Sequence, residues 1–268
     1  MKTLKILPSF ILQKLQSFFI RLYLTHLKWR VWHLSPGCRV KLKNFTIQIT
    51  DGPNYYIQYK DIFIRKVYHF SAIRENPLII DGGSNMGLSV LYFKSIYPNA
   101  NIIAFEPDPN IFEILRANLD RNNIKGVTLV SAGLGAQTEI TSFLSDKSSG
   151  GHIGQGGAAI KISQECLSNY LNNQIDFLKL NIEGNELSVL QESSNKGKLK
   201  NVRELVLEYH GWHNTKQELG DILHLLNQEG FRYLVHDFDT ETCSTSKPPF
   251  NLTPKTTWFC LVYAKRIE

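Results

Sequence analysis

The residues with the most to say about chemistry close an aliphatic run: Ile79-Ile80-Asp81-Gly82-Gly83-Ser84-Asn85-Met86-Gly87. In an open parallel sheet, ligands bind in the crevice at the carboxyl ends of the strands, and glycines there let a ligand reach the backbone before the next helix starts. About twenty residues on, Phe105-Glu106-Pro107 closes a second aliphatic run, where a carboxylate can accept both hydroxyls of a ribose. This pair of features describes a nucleoside cofactor site. The plainer reading, a tight strand-to-helix turn made by Gly82, Gly83 and Gly87, explains the glycines but leaves Glu106 unexplained. The loop departs from the G-x-G-x-x-G of a dinucleotide site, and Asp81 ahead of the glycines would repel a pyrophosphate but pair with an ammonium group. S-adenosylmethionine has a ribose, a free amino group and no phosphate, so it suits these residues better than a nicotinamide dinucleotide does.

A second group stands further along. Val202 to Tyr209 reads as a strand, and alternation puts Glu208 and His210 on one face at its carboxyl end. A histidine with an unperturbed pKa of ~6.5 is suited to take a proton at neutral pH, and Glu208 could orient it. Glu183, followed by Gly184 at the end of the preceding strand, faces the same crevice. Plainer roles remain open for both: a hydrogen-bonded strand-end residue for His210, and a first-turn helix acid for Glu183. His213, Glu186, His236 and Asp237 read as ordinary surface or capping residues. No tight ligand spacing supports a metal site made of Glu183, Glu208 and His210, so none is expected.

These residues need a scaffold, and the chain has its rhythm. Pro77 to Asp81, Ala100 to Phe105 and Val127 to Ala132 read as buried strands, with helices over Leu88 to Ser95 and Asn110 to Asn122, the latter with an Asn cap. Strand, helix, strand in repetition argues a parallel sheet with right-handed crossovers. After a helix over Lys216 to Gln228, the strands Phe231 to Phe238 and Trp258 to Lys265 lack a helix between them and should pair antiparallel. Upstream, Arg39 to Thr50 and Tyr55 to Gln58 read as short strands around the turn Asp51-Gly52-Pro53, and Asp61 to Phe70 as a short helix. The glycine-rich segment Gly150 to Gly157 reads as a cover for the site, because glycines absorb large backbone changes.

Charge separates the start of the chain from the rest. Residues 1–50 hold nine Lys or Arg and no acid, whereas the remainder holds 21 basic against 24 acidic residues. The overall charge of +6 is therefore local, and nucleic acid is not an expected partner. The longest uncharged stretch before residue 35, Ile6 to Gln13, is far shorter than a spanning helix or a cleaved leader requires. At 100° per residue, Leu7, Ile11, Leu15, Phe18, Leu22 and Trp29 form one stripe with Lys14, Arg21 and Lys28 along its flank. Such a helix lies on a membrane surface or packs its stripe on protein, and periodicity cannot separate the two. Cys38, Cys166, Cys243 and Cys260 form no C-x-x-C pair, which argues against a zinc site or disulfide framework. The expected domains are residues 1–38, a basic amphipathic helix, and 39–268.

With those residues in view, the chain resembles the FkbM-type S-adenosylmethionine-dependent methyltransferases over about Asp61 to Lys265. The resemblance is carried by Asp61-Ile62-Phe63, by the Asp81 to Gly87 loop, by Phe105-Glu106-Pro107, by Asn118 with Asn122, and by Lys179-Leu180-Asn181-Ile182-Glu183-Gly184-Asn185-Glu186. That last run is similar to the family's K-x-D-x-E-G-x-E signature. The resemblance implies a Rossmann-like α/β fold, a mostly parallel seven-stranded sheet ending in an antiparallel hairpin. It implies that Asp81, Gly83 and Asn85 hold the methionine part of the cofactor and Glu106 the ribose, with Ser131 and Ala132 near the adenine. Gly82, Ser84, Gly87, Pro107 and Asn181 complete the expected cofactor set. Asn181 stands where the family has Asp, and Ser168 where an L-D-D pattern is expected.

The expected activity is O-methylation, by S-adenosylmethionine, of a hydroxyl on a sugar, glycolipid or secondary metabolite. The expected location is the cytoplasm, peripherally on the inner face of the membrane. The rival expectation is a methyltransferase fold that has lost its chemistry and serves as a binding or scaffold protein, motivated by Asn181 and Ser168. Nothing in the sequence sets the oligomeric state.

Overall fold

The computed structural model describes residues 9–144, 152–153, 159–213, 215–236 and 249–267. Its centre is a seven-stranded sheet built from β3 (Leu78–Gly82), β4 (Asn101–Phe105), β5 (Val127–Val130), β10 (Phe177–Leu180), β11 (Glu204–Gly211), β12 (Phe231–His236) and β13 (Trp258–Arg266). The order is β12-β13-β11-β10-β3-β4-β5. Strands β11, β10, β3, β4 and β5 run parallel, and β13 lies antiparallel between β11 and β12. The chain winds outward from β3 through β4 to β5, then returns to build β10 and β11 on the other side. That reversal beside β3 is where an open sheet leaves a crevice for ligands.

Alternation along the strands feeds two cores. Ile79, Ile102, Ala104, Phe177 and Val206 face one, against α3 (Leu88–Ile96) and α4 (Pro109–Arg121). Ile80, Phe105, Leu178, Leu180, Leu205 and Leu207 face the other, against α5 (Glu186–Asn195) and α6 (Leu219–Gln228). The result is a three-layer α/β fold. Helix α4 starts one residue earlier than its apolar spacing suggests. Asp108, not an asparagine, caps it by accepting from Asn110 N at 2.8 Å and Ile111 N at 3.3 Å, with Pro109 in the first turn.

Upstream, β1 (Arg39–Leu42) and β2 (Phe45–Gln48) form an antiparallel hairpin. The two motif asparagines on α4 clamp it. Asn118 accepts from Gln48 N and donates to Gln48 O and Met86 O, while Asn122 exchanges a pair of bonds with the Thr46 backbone. The strand expected at Tyr55–Gln58 is instead part of α2 (Gly52–Tyr59), which runs on as a π-helical turn, Lys60–Arg65. The tyrosines favour a strand by propensity, but Asp51 caps Asn54 N at 2.7 Å, and Tyr55, Tyr59, Ile62 and Phe63 bury one helical face. Tertiary burial decides.

Between the sheet strands β5 and β10, β6 (Gly133–Gly135), β7 (Glu139–Leu144), β8 (His152–Ile153) and β9 (Ala159–Cys166) make a separate four-stranded sheet. The expected cover, Gly150 to Gly157, lies outside the described residues apart from β8. Before all of these, α1 (Ser9–Val31) seats Leu24, Leu27 and Val31 on the first core. Leu15, Phe18, Leu22 and Trp29 are exposed, so the alternative in which this stripe packs on the protein's own core does not hold for them. Among the described residues no helix is long and apolar enough to cross a membrane.

Candidate functional site

The loop after β3 turns sharply under three positive φ angles, at Gly83 (82°), Asn85 (49°) and Gly87 (95°). Gly83 N and Ser84 N donate to Phe105 O at 3.1 and 2.8 Å, which locks the loop against the end of β4. At Gly83 the β10 backbone passes so close that a Cβ would stand 2.0 Å from Asn181 O. Only glycine fits both the angle and the space. Asn85 Oδ1 accepts from its neighbour Met86 N at 2.8 Å and from Gln58 Nε2 at 3.2 Å, so α2 also braces the loop.

Glu106, at the end of β4, is buried and accepts from Asn85 N and Asp108 N, both at 2.9 Å. Burial raises its pKa to about 7, although those two backbone bonds pull the other way. A carboxylate has about four lone-pair sites, so each oxygen keeps acceptor capacity for a ligand hydroxyl. Ala132 is buried and Ser131 exposed beside it, and Gly133 next to them comes within about 4 Å of the Pro107 side chain.

Asp81 has a different cation from the one expected. Its carboxylate is wholly buried, paired with Lys179 Nζ at 2.9 Å and bonded by Ser89 Oγ. Lys179 also donates to Gly82 O and Gly83 O, at 3.1 and 2.8 Å, so the pair holds the glycine loop from beneath rather than meeting a ligand. Ser84 Oγ donates to Asp81 O at 3.0 Å and supports the same turn.

Glu208 too has partners other than the one expected. Its carboxylate accepts from the Tyr68 hydroxyl and from Asn181 Nδ2 at 2.8 Å, not from His210. Burial pushes the Glu208 carboxyl above its ordinary range, against the pull of the Tyr68 bond and the Lys179 cation. Tyr68 is raised well above the usual phenol range, by burial first and then by Glu208. Asn181 Oδ1 is buried and has no hydrogen-bond partner within the protein, an acceptor placed beside the glycine loop.

The carboxylate beside His210 is Glu183, with Nε2 to Oε2 at 3.4 Å. The imidazole stacks on Trp212, centroids 5.5 Å apart, and meets the edge of Phe259 at 5.0 Å. Glu183 adopts φ 57° and Gly184 φ 108°, a left-handed pair that turns the chain before α5. Glu186 makes this turn possible. It is buried, accepts from Ile182 N at 3.1 Å and Gly184 N at 3.0 Å, and its pKa is raised by burial to about 7. Ser168 lies apart, bonded through Oγ to Glu192 Oε1 at 2.6 Å on α5.

The carboxyl edge of the sheet therefore brings together Gly82, Gly83, Ser84, Asn85, Gly87, Glu106 and Asn181 around β3, and Glu183 with His210 beside it. Among the described residues no group of three or more His, Cys, Asp or Glu side chains is arranged to hold a metal ion, and Glu183, Glu208 and His210 do not form one. Sequence reasoning missed Tyr68, Lys179 as the partner of Asp81, and Trp212. Lys179 heads the eight-residue signature run and so had a signal; Tyr68 and Trp212 had none.

Residues 81–233 match the Methyltransferase FkbM domain family. Methyltransferase 1 of Beauveria bassiana (strain ARSEF 2860) is 28% identical over 183 residues, which cover 54% of this chain and 74% of that one. Methyltransferase sdnD of Sordaria araneosa is 43% identical over 77 residues, 28% of this chain and 30% of its own. The 31-O-demethyl-FK506 methyltransferase FkbM of Streptomyces tacrolimicus is 34% identical over 70 residues, 25% of this chain and 27% of that one. The crystal structure of a methyltransferase FkbM from Methylobacillus flagellatus KT aligns with 78% of this chain at 16% identity and a TM-score of 0.49, over half of that protein's length.

Proposed function

This chain belongs to the FkbM methyltransferase family, and from that premise we propose that it methylates a hydroxyl oxygen of a small molecule or glycan, using S-adenosylmethionine. The residues present suit that cofactor. Asn181 Oδ1, the buried acceptor without a partner in the protein, suits an ammonium group. Glu106 suits the ribose hydroxyls, and the Ser131-Ala132 segment next to Pro107 the adenine. Gly83, Asn85 and Gly87 leave the loop backbone bare of side chains or turned aside, which lets a ligand lie close.

When bound, S-adenosylmethionine supplies a methyl group already activated by its sulfonium, so alignment of the acceptor is much of the catalytic work. The rest is one proton. An alcohol must lose it as the new bond to oxygen forms, and the His210 imidazole is the group suited to receive it, with the Glu183 carboxylate stabilising the imidazolium. Trp212 and Phe259 hold the ring by stacking and edge contact, which fixes its orientation without a further polar partner. Glu208 and Tyr68 sit behind Asn181 as positioning residues.

The observation that carries this reading is the His210 and Glu183 pair at the carboxyl ends of β11 and β10, beside the loop. Support from outside the chain is the printed activity of the Streptomyces tacrolimicus relative, which concerns an O-demethyl compound. The test is transfer of labelled methyl to a panel of sugars and hydroxylated natural products. His210→Gln should bind S-adenosylhomocysteine as the parent does yet lower turnover by ~10²–10⁴-fold. Parent turnover in that variant would remove His210 from the role and leave Glu183 as the base.

A further inference from the structure

Helix α1 presents two opposed apolar faces, and the fold uses one. Leu24, Leu27 and Val31 seat it on the core. Leu15, Phe18, Leu22 and Trp29 lie about 180° around the helix from that seat, at 100° per residue. They are exposed, Phe18 at 55% and Trp29 at 74%, with Phe19 and Tyr23 exposed alongside. A solvent-facing helix side is normally polar, and contiguous aromatic and aliphatic side chains there mark an interaction surface.

The charges say what kind. Lys14, Arg21 and Lys28 follow one flank of the stripe at seven-residue intervals, Arg30 lies on the other flank, and α1 contains no acid. Nine cations and no anion precede Asp51, while the rest of the chain has a slight acidic excess. A second copy would bring the same cations against these, which repel. An apolar stripe edged by Lys and Arg, with Trp and Tyr among the exposed side chains, matches a helix lying in a headgroup layer.

We propose that α1 docks this protein on an anionic phospholipid surface, with Leu15, Phe18, Leu22 and Trp29 entering the acyl boundary and the flanking cations meeting lipid phosphates and carboxylates. The seat on the core holds the rest of the protein on the water side.

The test uses the full chain and vesicles of phosphatidylcholine, with or without phosphatidylserine. The protein should sediment with the mixed vesicles, less so in high salt, and hardly at all with phosphatidylcholine alone. Each Lys or Arg removed near an anionic surface lowers partition about fivefold, so Lys14→Glu with Arg21→Glu should lower it by more than about 20-fold. Phe18→Glu with Leu22→Glu should abolish it. Both variants alter exposed side chains and should melt at the parent temperature, which separates lost docking from lost folding. Lipids brominated on their acyl chains should quench fluorescence in the parent, and Trp29→Phe should remove that quenching. The proposal fails if the parent stays in the supernatant with the mixed vesicles, or if Phe18→Glu with Leu22→Glu leaves sedimentation unchanged. It fails equally if the parent is a dimer that this variant turns into a monomer while neither binds vesicles, because a second copy then occupies the stripe.

Discussion

Asn181→Asp restores the carboxylate that the family signature carries at this position, and it should destabilise this particular protein. Asn181 Nδ2 donates to Glu208 Oε2 at 2.8 Å, and Tyr68 occupies the other Glu208 oxygen. An aspartate would lose that donation, which for a hydrogen bond to a charged group is about 1.5–3 kcal/mol. It would also set two carboxylates side by side, and such a pair cannot both ionise without cost. At low pH the pair shares one proton and an O–H bond replaces the lost N–H bond, so the penalty nearly vanishes. Above the pair's upper titration the penalty grows by about 1.4 kcal/mol per pH unit until one side chain turns away. At about pH 8 the melting midpoint should therefore fall by ~3–12 °C against the parent, and at about pH 5 by much less. Urea unfolding of both proteins at the two pH values reads the difference. A variant as stable as the parent at the higher pH, or equally weakened at both, would show that Asn181 is not held to Glu208 by this bond.

Other outcomes follow from the same contacts. Asn118→Ala leaves Gln48 N, Gln48 O and Met86 O without their side-chain partner, and should cost about 2–4 kcal/mol in denaturant unfolding while the affinity for S-adenosylhomocysteine stays near parental. Glu106→Ala should weaken that affinity by ~10–150-fold, the worth of hydrogen bonds to a charged group; an unchanged affinity would move the ribose elsewhere. Glu106 and Glu186 both titrate near about 7 in the fold, above the ordinary carboxyl value of about 4.5. The native state thus holds protons that the unfolded chain has released between those values, and stability should fall as pH rises through that window, by at most about 3 kcal/mol from each. Glu186→Gln should remove its share of the slope, and a stability that rises from about pH 5 to about pH 7.5 would contradict this assignment.

The parallel core of the fold was legible because its strands are short aliphatic runs closed by Gly, Glu-Pro or Glu-Gly, and because Asp and Pro mark where helices begin. The loop after β3 was legible for the same reason: its glycines and Glu106 are set by spacing along the chain. What spacing cannot carry is which side chain meets which across the sheet. Asp81 reads as a ligand-facing acid until Lys179, from the neighbouring strand β10, is brought to 2.9 Å. Glu208 and His210 share a strand face, yet each takes a partner from elsewhere, Tyr68 and Asn181 for one and Glu183 for the other. Tyr55 to Gln58 misled through β propensity, which a capped helix with one buried face overrides. On α1 the period was visible but not its use, since two apolar faces 180° apart look alike until one of them is seated.

The most direct test of the account is calorimetric titration of the full chain with S-adenosylhomocysteine, which needs no knowledge of the acceptor. The account predicts binding at one site per chain, competed by S-adenosylmethionine, indifferent to NAD and weakened in Glu106→Ala. Absence of binding by a folded protein, or binding that Glu106→Ala leaves intact, would contradict it.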